Sequence, residues 1–177
     1  MRALVVVESV FGNTREIADA VADGLSTCAQ VDLVDVGDAP EAVRSDVDLV
    51  VVGGPTHAFG MSRPSTRDDA RSRAGRGQPS RGIGIREWIA RLEPVPPGLL
   101  TATFDTRIAS PRLPGSAAHA AHQRLRRLGC KMLAPSQSFW VDGTTGPLVA
   151  DEPERARAWG WELARIAAIA VSAAGQS

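Results

Sequence analysis

The sequence is poor in several features that mark specialised classes of protein. It contains no tyrosine and only two cysteines, which lie far apart, so we expect neither a disulfide framework nor a cysteine-rich zinc site. Twenty positive and twenty negative side chains cancel, which argues against nucleic acid as a partner. The short apolar run near the N-terminus ends at Glu8, and no small-residue cleavage site follows it. We therefore expect a cytoplasmic protein with no membrane partner.

Strand and helix patterns alternate along the chain. Valine-rich runs are typical of strands buried on both faces, and apolar residues spaced three or four apart are typical of helices. The predicted strands are residues 3–7, 31–36, 48–54, 99–104 and 138–141, and the predicted helices are residues 14–25, 117–128 and 153–172. This alternation predicts the α/β fold class, with one doubly wound parallel five-stranded sheet in a single domain of residues 1–177. The strand order 2-1-3-4-5 fits this rhythm and would place a ligand beyond the carboxyl ends of the strands.

Residues 62–84 interrupt the alternation. They contain six arginines against two aspartates, with several glycines, prolines and serines. We interpret this segment as a mobile, solvated insertion, because its composition buries little apolar surface. The alternative is a basic lid over an anionic ligand or partner.

The turn after the first predicted strand has the composition of a phosphate-binding loop. It consists of Ser9, Val10, Phe11, Gly12, Asn13 and Thr14. Such a turn directs unpaired backbone N–H groups and the helix dipole at one point, while the glycine permits close approach. Hydroxyl and amide side chains add donors without adding charge. The alternative is that Asn13 or Thr14 only caps the following helix.

The pattern Ser-x-x-Gly-Asn-Thr in this turn resembles the phosphate loop of the flavodoxins, which holds the phosphate of FMN. The resemblance implies a flavodoxin-like fold, FMN as cofactor, and FMN phosphate contacts from Ser9, Gly12, Asn13 and Thr14. Phe11 stands where the family commonly has threonine, so one hydroxyl of the family pattern is missing.

A second loop follows the third predicted strand, where the flavin ring of a flavodoxin would lie. It contains Pro55, Thr56, His57, Ala58, Phe59 and Gly60. The resemblance implies that Pro55 and Thr56 contact the ribityl chain and ring edge, with His57 or Phe59 as the stacking group. The same run resembles WrbA-type quinone reductases. The alternatives are an ordinary loop histidine and a core phenylalanine.

A third loop, which begins with Asp105, Thr106 and Arg107, corresponds to the loop that closes over the pyrimidine side of the flavin. Flavodoxins commonly place a tyrosine there, and Thr106 and Arg107 are the nearest substitutes in this chain. An arginine near flavin N1 would stabilise the reduced, anionic ring and raise its potential. The alternatives are that Arg107 is a surface charge or pairs with Asp105.

These features predict an FMN-binding electron-transfer protein whose partner is a redox protein. Two rival functions stay open, an FMN-dependent NAD(P)H or quinone oxidoreductase and a flavodoxin-fold binding module that has lost FMN. The zero net charge favours the enzyme, because electron-shuttle flavodoxins are usually strongly acidic so that they dock on basic partners. We expect no catalytic acid or base and no metal ligands, because His119 and His122 lack a third ligand. The oligomeric state, monomer or homodimer, is left open.

Overall fold

The computed structural model describes residues 1–74 and 82–174 of the chain. The strands are β1 (Arg2–Val7), β2 (Gln30–Asp35), β3 (Leu49–His57), β4 (Gly60–Met61), β5 (Leu100–Ile108), β6 (Lys131–Met132) and β7 (Gln137–Val141). The helices are α1 (Asn13–Leu25), α2 (Pro64–Ala74), α3 (Ile85–Arg91), α4 (Ala117–Arg127) and α5 (Glu152–Ala174). No helix in the described ranges is long and apolar enough to span a membrane.

The sheet confirms the predicted class and order. Parallel strands run β2-β1-β3-β5, and the short strands β6 and β7 both pair with the outer edge of β5. The strand count differs from five because two short strands share the fifth position; Pro135, which has no N–H to donate, lies in the gap between them. A two-residue strand, β4, also folds back antiparallel on the end of β3.

Helices cover both faces of the sheet and bury two apolar layers. On one face, α1 and α5 pack over Phe104 and Phe139, which meet Trp159 edge to face at centroid distances of 6.0–6.1 Å. On the other face, α3 and α4 bury Trp88 and Leu125. This arrangement leaves the carboxyl ends of the strands open, as the doubly wound fold requires.

In the described part of the segment 62–84 most side chains are exposed, as its composition predicts, but part of the segment forms a helix. In the described part, residues 64–74 form α2, and the side chain of Arg67 is only 1 % exposed. The half-buried carboxylate of Glu87 and the buried hydroxyl of Ser62 compensate this arginine, and composition alone does not reveal these contacts. Residues 75–81 lie outside the described residues.

Candidate functional site

A cavity of about 370 Å³ opens at the carboxyl ends of the parallel strands. Its volume falls within the roughly 300–1,000 Å³ typical of small-molecule sites. Ten of the fifteen predicted residues line it: Val10, Phe11, Asn13, Thr14, Pro55, Thr56, His57, Ala58, Thr106 and Arg107. The cavity therefore unites all three predicted segments, but the prediction that they are loops is partly wrong, because β3 extends to His57 and β5 extends to Ile108. The other five predicted residues do not line it: Ser9, Gly12, Phe59, Gly60 and Asp105.

The first loop presents backbone donors at the start of α1. The helix begins after Gly12, which has a φ of 95° and accepts its first intrahelical hydrogen bond from the N–H of Glu16 at 3.0 Å. Ser9 Oγ accepts a hydrogen bond from the N–H of Arg15 at 3.2 Å. The N–H groups between Ser9 and Arg15 have no hydrogen-bond partner within α1, so they form a ready anion site.

The polar side chains of this loop bind protein groups. Asn13 Nδ2 donates to the carbonyl of Thr145 at 2.9 Å, and the buried hydroxyls of Thr14 and Thr106 lie 2.7 Å apart in a hydrogen bond. Neither Asn13 nor Thr14 caps α1, so the capping interpretation is wrong. These two bonds instead tie the loop to β5 and to the loop after β7, which fixes the direction of the backbone N–H groups.

A buried carboxylate joins the second and third loops. Asp105 Oδ2 accepts hydrogen bonds from Thr56 Oγ1 at 2.8 Å, Ser116 Oγ at 2.6 Å and the Ala118 N–H at 3.0 Å. Asp105 is fully buried, and Thr56 Oγ1 in turn accepts from the N–H of Ala117. This carboxylate is therefore a structural group that holds the start of α4 against β3.

Arg107 is not paired with Asp105. Its Nη2 donates to the carbonyl of Leu113 at 2.7 Å, and its guanidinium lies 5.4 Å from the centroid of the Trp140 ring. Arg112 lies over the same ring at 5.1 Å. Cation–π contact and a carbonyl partner fix Arg107 without neutralising it, so its positive charge is available at the cavity wall.

The second loop turns sharply at two residues with left-handed backbone. Ala58 has a φ of 42° and Phe59 has a φ of 74°, conformations that L residues seldom adopt. Phe59 is 60 % exposed, so the interpretation as a core residue is wrong. Gly115 packs so closely on the carbonyl of Phe59 that a Cβ there would lie 2.0 Å from that oxygen.

His57 lies in the cavity wall next to a buried cation. Burial lowers the pKa of its imidazole, and the nearby Arg67 guanidinium lowers that pKa further, although a hydrogen bond with the Thr66 backbone opposes the shift. The imidazole is therefore neutral at pH 7. A neutral ring can lie against a flat ligand with a smaller desolvation cost than a charged one.

Comparisons with known proteins agree with this geometry. Searches of protein-family models and of curated protein sequences gave no match. Solved structures do match. Flavodoxin 1 from Bacillus cereus superposes with a TM-score of 0.68 at 15% identity, over 93% of this chain and 98% of that chain. A flavodoxin from the domain Archaea superposes with a TM-score of 0.63 at 19% identity, over 94% of this chain and 99% of that chain.

The chain has the flavodoxin-like fold. A flavodoxin, WrbA-like protein from Agrobacterium tumefaciens also matches this flavodoxin-like domain, with a TM-score of 0.54 at 20% identity over 94% of this chain and 96% of that chain. The likeness extends over nearly the whole chain, so the sequence resemblance is confirmed at the level of the fold.

Two parts of the cavity wall in this flavodoxin-like domain were not among the predicted site residues, although the basic-lid alternative for residues 62–84 included the first of them. One is α2, which contributes Thr66, Asp69, Ala70 and Arg73. The other is the segment after β7, where Val141, Gly143 and Thr144 line the cavity. The rule that ligands bind beyond the carboxyl ends of strands would have found the second part. For α2, the only indication in the sequence is that Thr66, Ala70 and Arg73 are spaced as residues on one face of a helix.

A buried polar cluster holds α2 against the end of β1. Glu8 Oε1 accepts from Ser62 Oγ at 2.5 Å, and Oε2 accepts from the Ile85 N–H at 2.9 Å. Arg67 Nη1 reaches Ser62 Oγ at 2.9 Å and Glu87 Oε2 at 3.0 Å. Burial raises the pKa of Glu8, although the bonds from Ser62 and Ile85 and the charge of Arg67 oppose this effect. The wall that α2 supplies thus depends on a buried ion-pair network.

The donors and charges of the cavity fit FMN. Backbone N–H groups at the start of α1 suit a phosphate, and Arg73 and Arg107 against Asp69 leave the lining with a positive excess. Apolar side chains such as Val10 and Leu113 supply surface for a ring. The Thr56 hydroxyl donates its proton to Asp105 and the Thr14 hydroxyl shares a hydrogen bond with Thr106, so the backbone N–H groups would supply the main contacts to a phosphate.

Proposed function

We propose that this domain binds FMN and acts as an electron-transfer protein. The observation that supports the proposal is the cavity at the carboxyl ends of β1, β3 and β5, with free backbone N–H groups at the start of α1. FMN would supply one- and two-electron redox chemistry when bound. The loop from Ser9 to Thr14 would hold its phosphate. Pro55, Thr56 and His57 would lie along the ring, and Arg107 would face its pyrimidine side.

The residues around the cavity have roles that do not require an acid or a base. The Asn13–Thr145 and Thr14–Thr106 bonds orient the phosphate loop, and Asp105 fixes the second loop to α4. Neutral His57 excludes water without adding charge. Both cysteines are free thiols, which supports a reducing, cytoplasmic location.

FMN titration tests the proposal directly. Quenching of FMN fluorescence should be saturable, and replacing Asn13 with alanine should weaken binding about 5–10-fold, because loss of one orienting hydrogen bond costs roughly 1 kcal/mol. Gln30→Ala, an exposed amide at the opposite end of the sheet, is the matched control and should bind normally. Absence of quenching would refute the FMN proposal and favour a binding module without flavin.

Arg107 provides a prediction about redox potential. Arg107→Gln should lower the midpoint potential of the one-electron step that forms fully reduced FMN by roughly 40 mV, since a partly solvated cation contributes about 1 kcal/mol toward the more negative, reduced ring. The measurement is a spectroscopic redox titration with Arg157→Gln on α5 as control. An unchanged potential in the Arg107 variant would show that this guanidinium does not face the ring.

A second candidate function is an FMN-dependent NAD(P)H or quinone oxidoreductase. A smaller cavity of about 100 Å³, lined by Phe59, Ile108, Leu113 and Pro114, adjoins the main one and offers room for a small apolar acceptor. NAD(P)H oxidation that requires both FMN and a quinone would favour this enzyme. Flavin reduction only by a redox protein would favour the electron carrier.

A further inference from the structure

The zero net charge of the chain conceals a strong separation of charge. Residues 1–48 contain ten carboxylates and three cations, whereas residues 106–141 contain six cations and no carboxylate. The sheet order keeps these two regions apart, because β2 forms one edge and β6 and β7 form the other. The domain is therefore acidic on its β2 side and basic on its α4 side.

Arg107, Arg112, Arg124, Arg126 and Arg127 define the basic face. Phe139 points into the α1–α5 core, so the adjacent Trp140 points to the opposite face of the sheet, where α4 lies. Arg107 and Arg112 both lie on Trp140, and Arg107 also lines the cavity. Helix α4 extends from the cavity for about 15 Å and carries the other three arginines of the basic face.

The charge of the basic face is not neutralised within the domain. Among the residues that the structure describes, none of its five arginines is within ion-pair distance of a carboxylate; Arg2, Arg15 and Arg44, in the acidic region, all are. Arg124 Nη1 donates to the carbonyl of Arg86, another cation. Burial and the neighbouring Arg124 and Arg63 lower the pKa of Arg86, which indicates a crowded positive patch.

Two exposed apolar side chains lie beside this charge. Phe59 is 60 % exposed and Leu113 is 48 % exposed, and both line the small cavity that adjoins the main one. The close contact of Gly115 with the Phe59 carbonyl holds the two loops together. Exposed aromatic and aliphatic groups bordered by arginines have the composition of a protein interface, with an apolar centre and a charged rim.

We propose that the basic face, together with the adjoining Phe59 and Leu113, is the docking surface for an acidic electron-carrier protein. The inference rests on the proposed function, since docking at the mouth would bring the partner's redox centre close to bound FMN. Uncompensated arginines select a negatively charged partner and accelerate encounter by long-range attraction. The exchange is one electron per encounter, with the partner oxidised and FMN reduced.

The salt dependence of electron transfer tests this surface. Stopped-flow spectroscopy would follow reduction of the FMN-loaded domain by a reduced plant-type ferredoxin, an acidic iron–sulfur protein. The rate constant should fall as ionic strength rises, because screening weakens attraction between opposite charges. Arg112→Glu and Arg126→Glu should each slow the reaction at least about threefold at low salt and converge on the unaltered protein at high salt.

Arg157→Glu is the matched control. It makes the same change in net charge from an exposed position on α5, which covers the other face of the sheet, and should change the rate by less than about 1.5-fold. An equal effect of Arg157→Glu would mean that only net charge matters and would overturn the proposal. A rate that rises with salt would also overturn it.

Direct binding separates this inference from the proposed function. Interferometry with oxidised ferredoxin on the same variants reports docking whether or not FMN binds. Failure to bind FMN, with ferredoxin binding still sensitive to Arg112→Glu, would remove the electron-transfer function and keep the acidic-partner surface. Normal FMN binding without arginine-dependent ferredoxin binding would overturn the acidic-partner surface and leave the proposed FMN function intact. Preferential binding of a DNA duplex to the basic face would replace the protein partner with a nucleic acid.

Discussion

Replacing Arg67 with methionine is expected to lower the free energy of unfolding by about 3–5 kcal/mol, because removing one member of a buried ion-pair network leaves an uncompensated charge. Methionine preserves most of the apolar stem but cannot donate to Ser62, Glu87 or the carbonyl of Gly82. Glu8 would then have one charge partner fewer in a site where only 1 % of its surface is exposed. Chemical denaturation at pH 7 gives the measurement.

The pH dependence identifies the cause of this loss. Burial raises the folded-state pKa of Glu8 above its unfolded value, so the folded state binds the proton more tightly. The contribution of this carboxyl group is therefore most favourable below the unfolded pKa and is lost as pH rises through the folded pKa. Without Arg67 the folded pKa rises further. The stability deficit of Arg67→Met should thus be smaller near pH 5 than near pH 8.

Three further measurements make the Arg67 prediction specific. Arg63→Met, an exposed arginine just before the same helix, should change stability by no more than about 0.5 kcal/mol. Adding Glu8→Gln to Arg67→Met should restore part of the loss at high pH, because the buried charge is removed. The pKa of His57 should rise toward its ordinary value, since Arg67 is one cause of its depression. A deficit below 1 kcal/mol that does not change with pH would contradict the buried-charge explanation.

The strands and the three long helices could be predicted because burial leaves a direct pattern in the sequence. Residues 49–52 are Leu-Val-Val-Val, and all four are buried, as expected of a strand covered on both faces. α2 could not be predicted in this way. Among the described side chains of α2, the one long side chain that is fully buried belongs to an arginine, and arginine normally indicates exposure to solvent. The charged partner of Arg67 is Glu87 in α3, and Arg67 also interacts electrostatically with Glu8 after β1, which is distant in sequence.

The same distinction applies to the candidate site: its location could be predicted from the sequence, and the roles of its side chains could not. Position near the carboxyl end of a parallel strand predicts which segments meet, and the cavity does bring the three predicted segments together, although β3 and β5 extend into two of them. The roles of individual side chains depend on contacts that spacing does not encode. Thr14 bonds to Thr106, 92 residues away, and Thr56 bonds to Asp105, so hydroxyls that suit a phosphate by type are used to hold loops. Whether FMN occupies the cavity stays a prediction.

The contact between α1 and α5 gives the second large prediction. A Cβ at Gly160 would lie 2.3 Å from the carbonyl oxygen of Val21, and one at Gly24 would lie 2.1 Å from that of Arg157. These atoms belong to helix backbones, which cannot move aside as a flexible side chain can. Gly160→Ala should therefore separate the two helices and lower the free energy of unfolding by about 2–4 kcal/mol, despite the roughly 1 kcal/mol that alanine gains in helix propensity.

Gly60→Ala is the control for Gly160→Ala, because a Cβ at Gly60 would meet no atom within 4 Å and its φ is not positive. Denaturation of both variants should show a large loss for Gly160→Ala and a change within about 0.5 kcal/mol for Gly60→Ala. Because α1 begins at the phosphate loop, displacement of this helix should also weaken FMN binding, even though Gly160 lies outside the cavity lining. If the Gly160→Ala variant is as stable as the unaltered chain, the backbones of α1 and α5 are not in contact. Reduced stability with unchanged FMN affinity would instead show that the loop from Ser9 to Thr14 keeps its geometry independently of α5, through its bonds to Thr106 and Thr145.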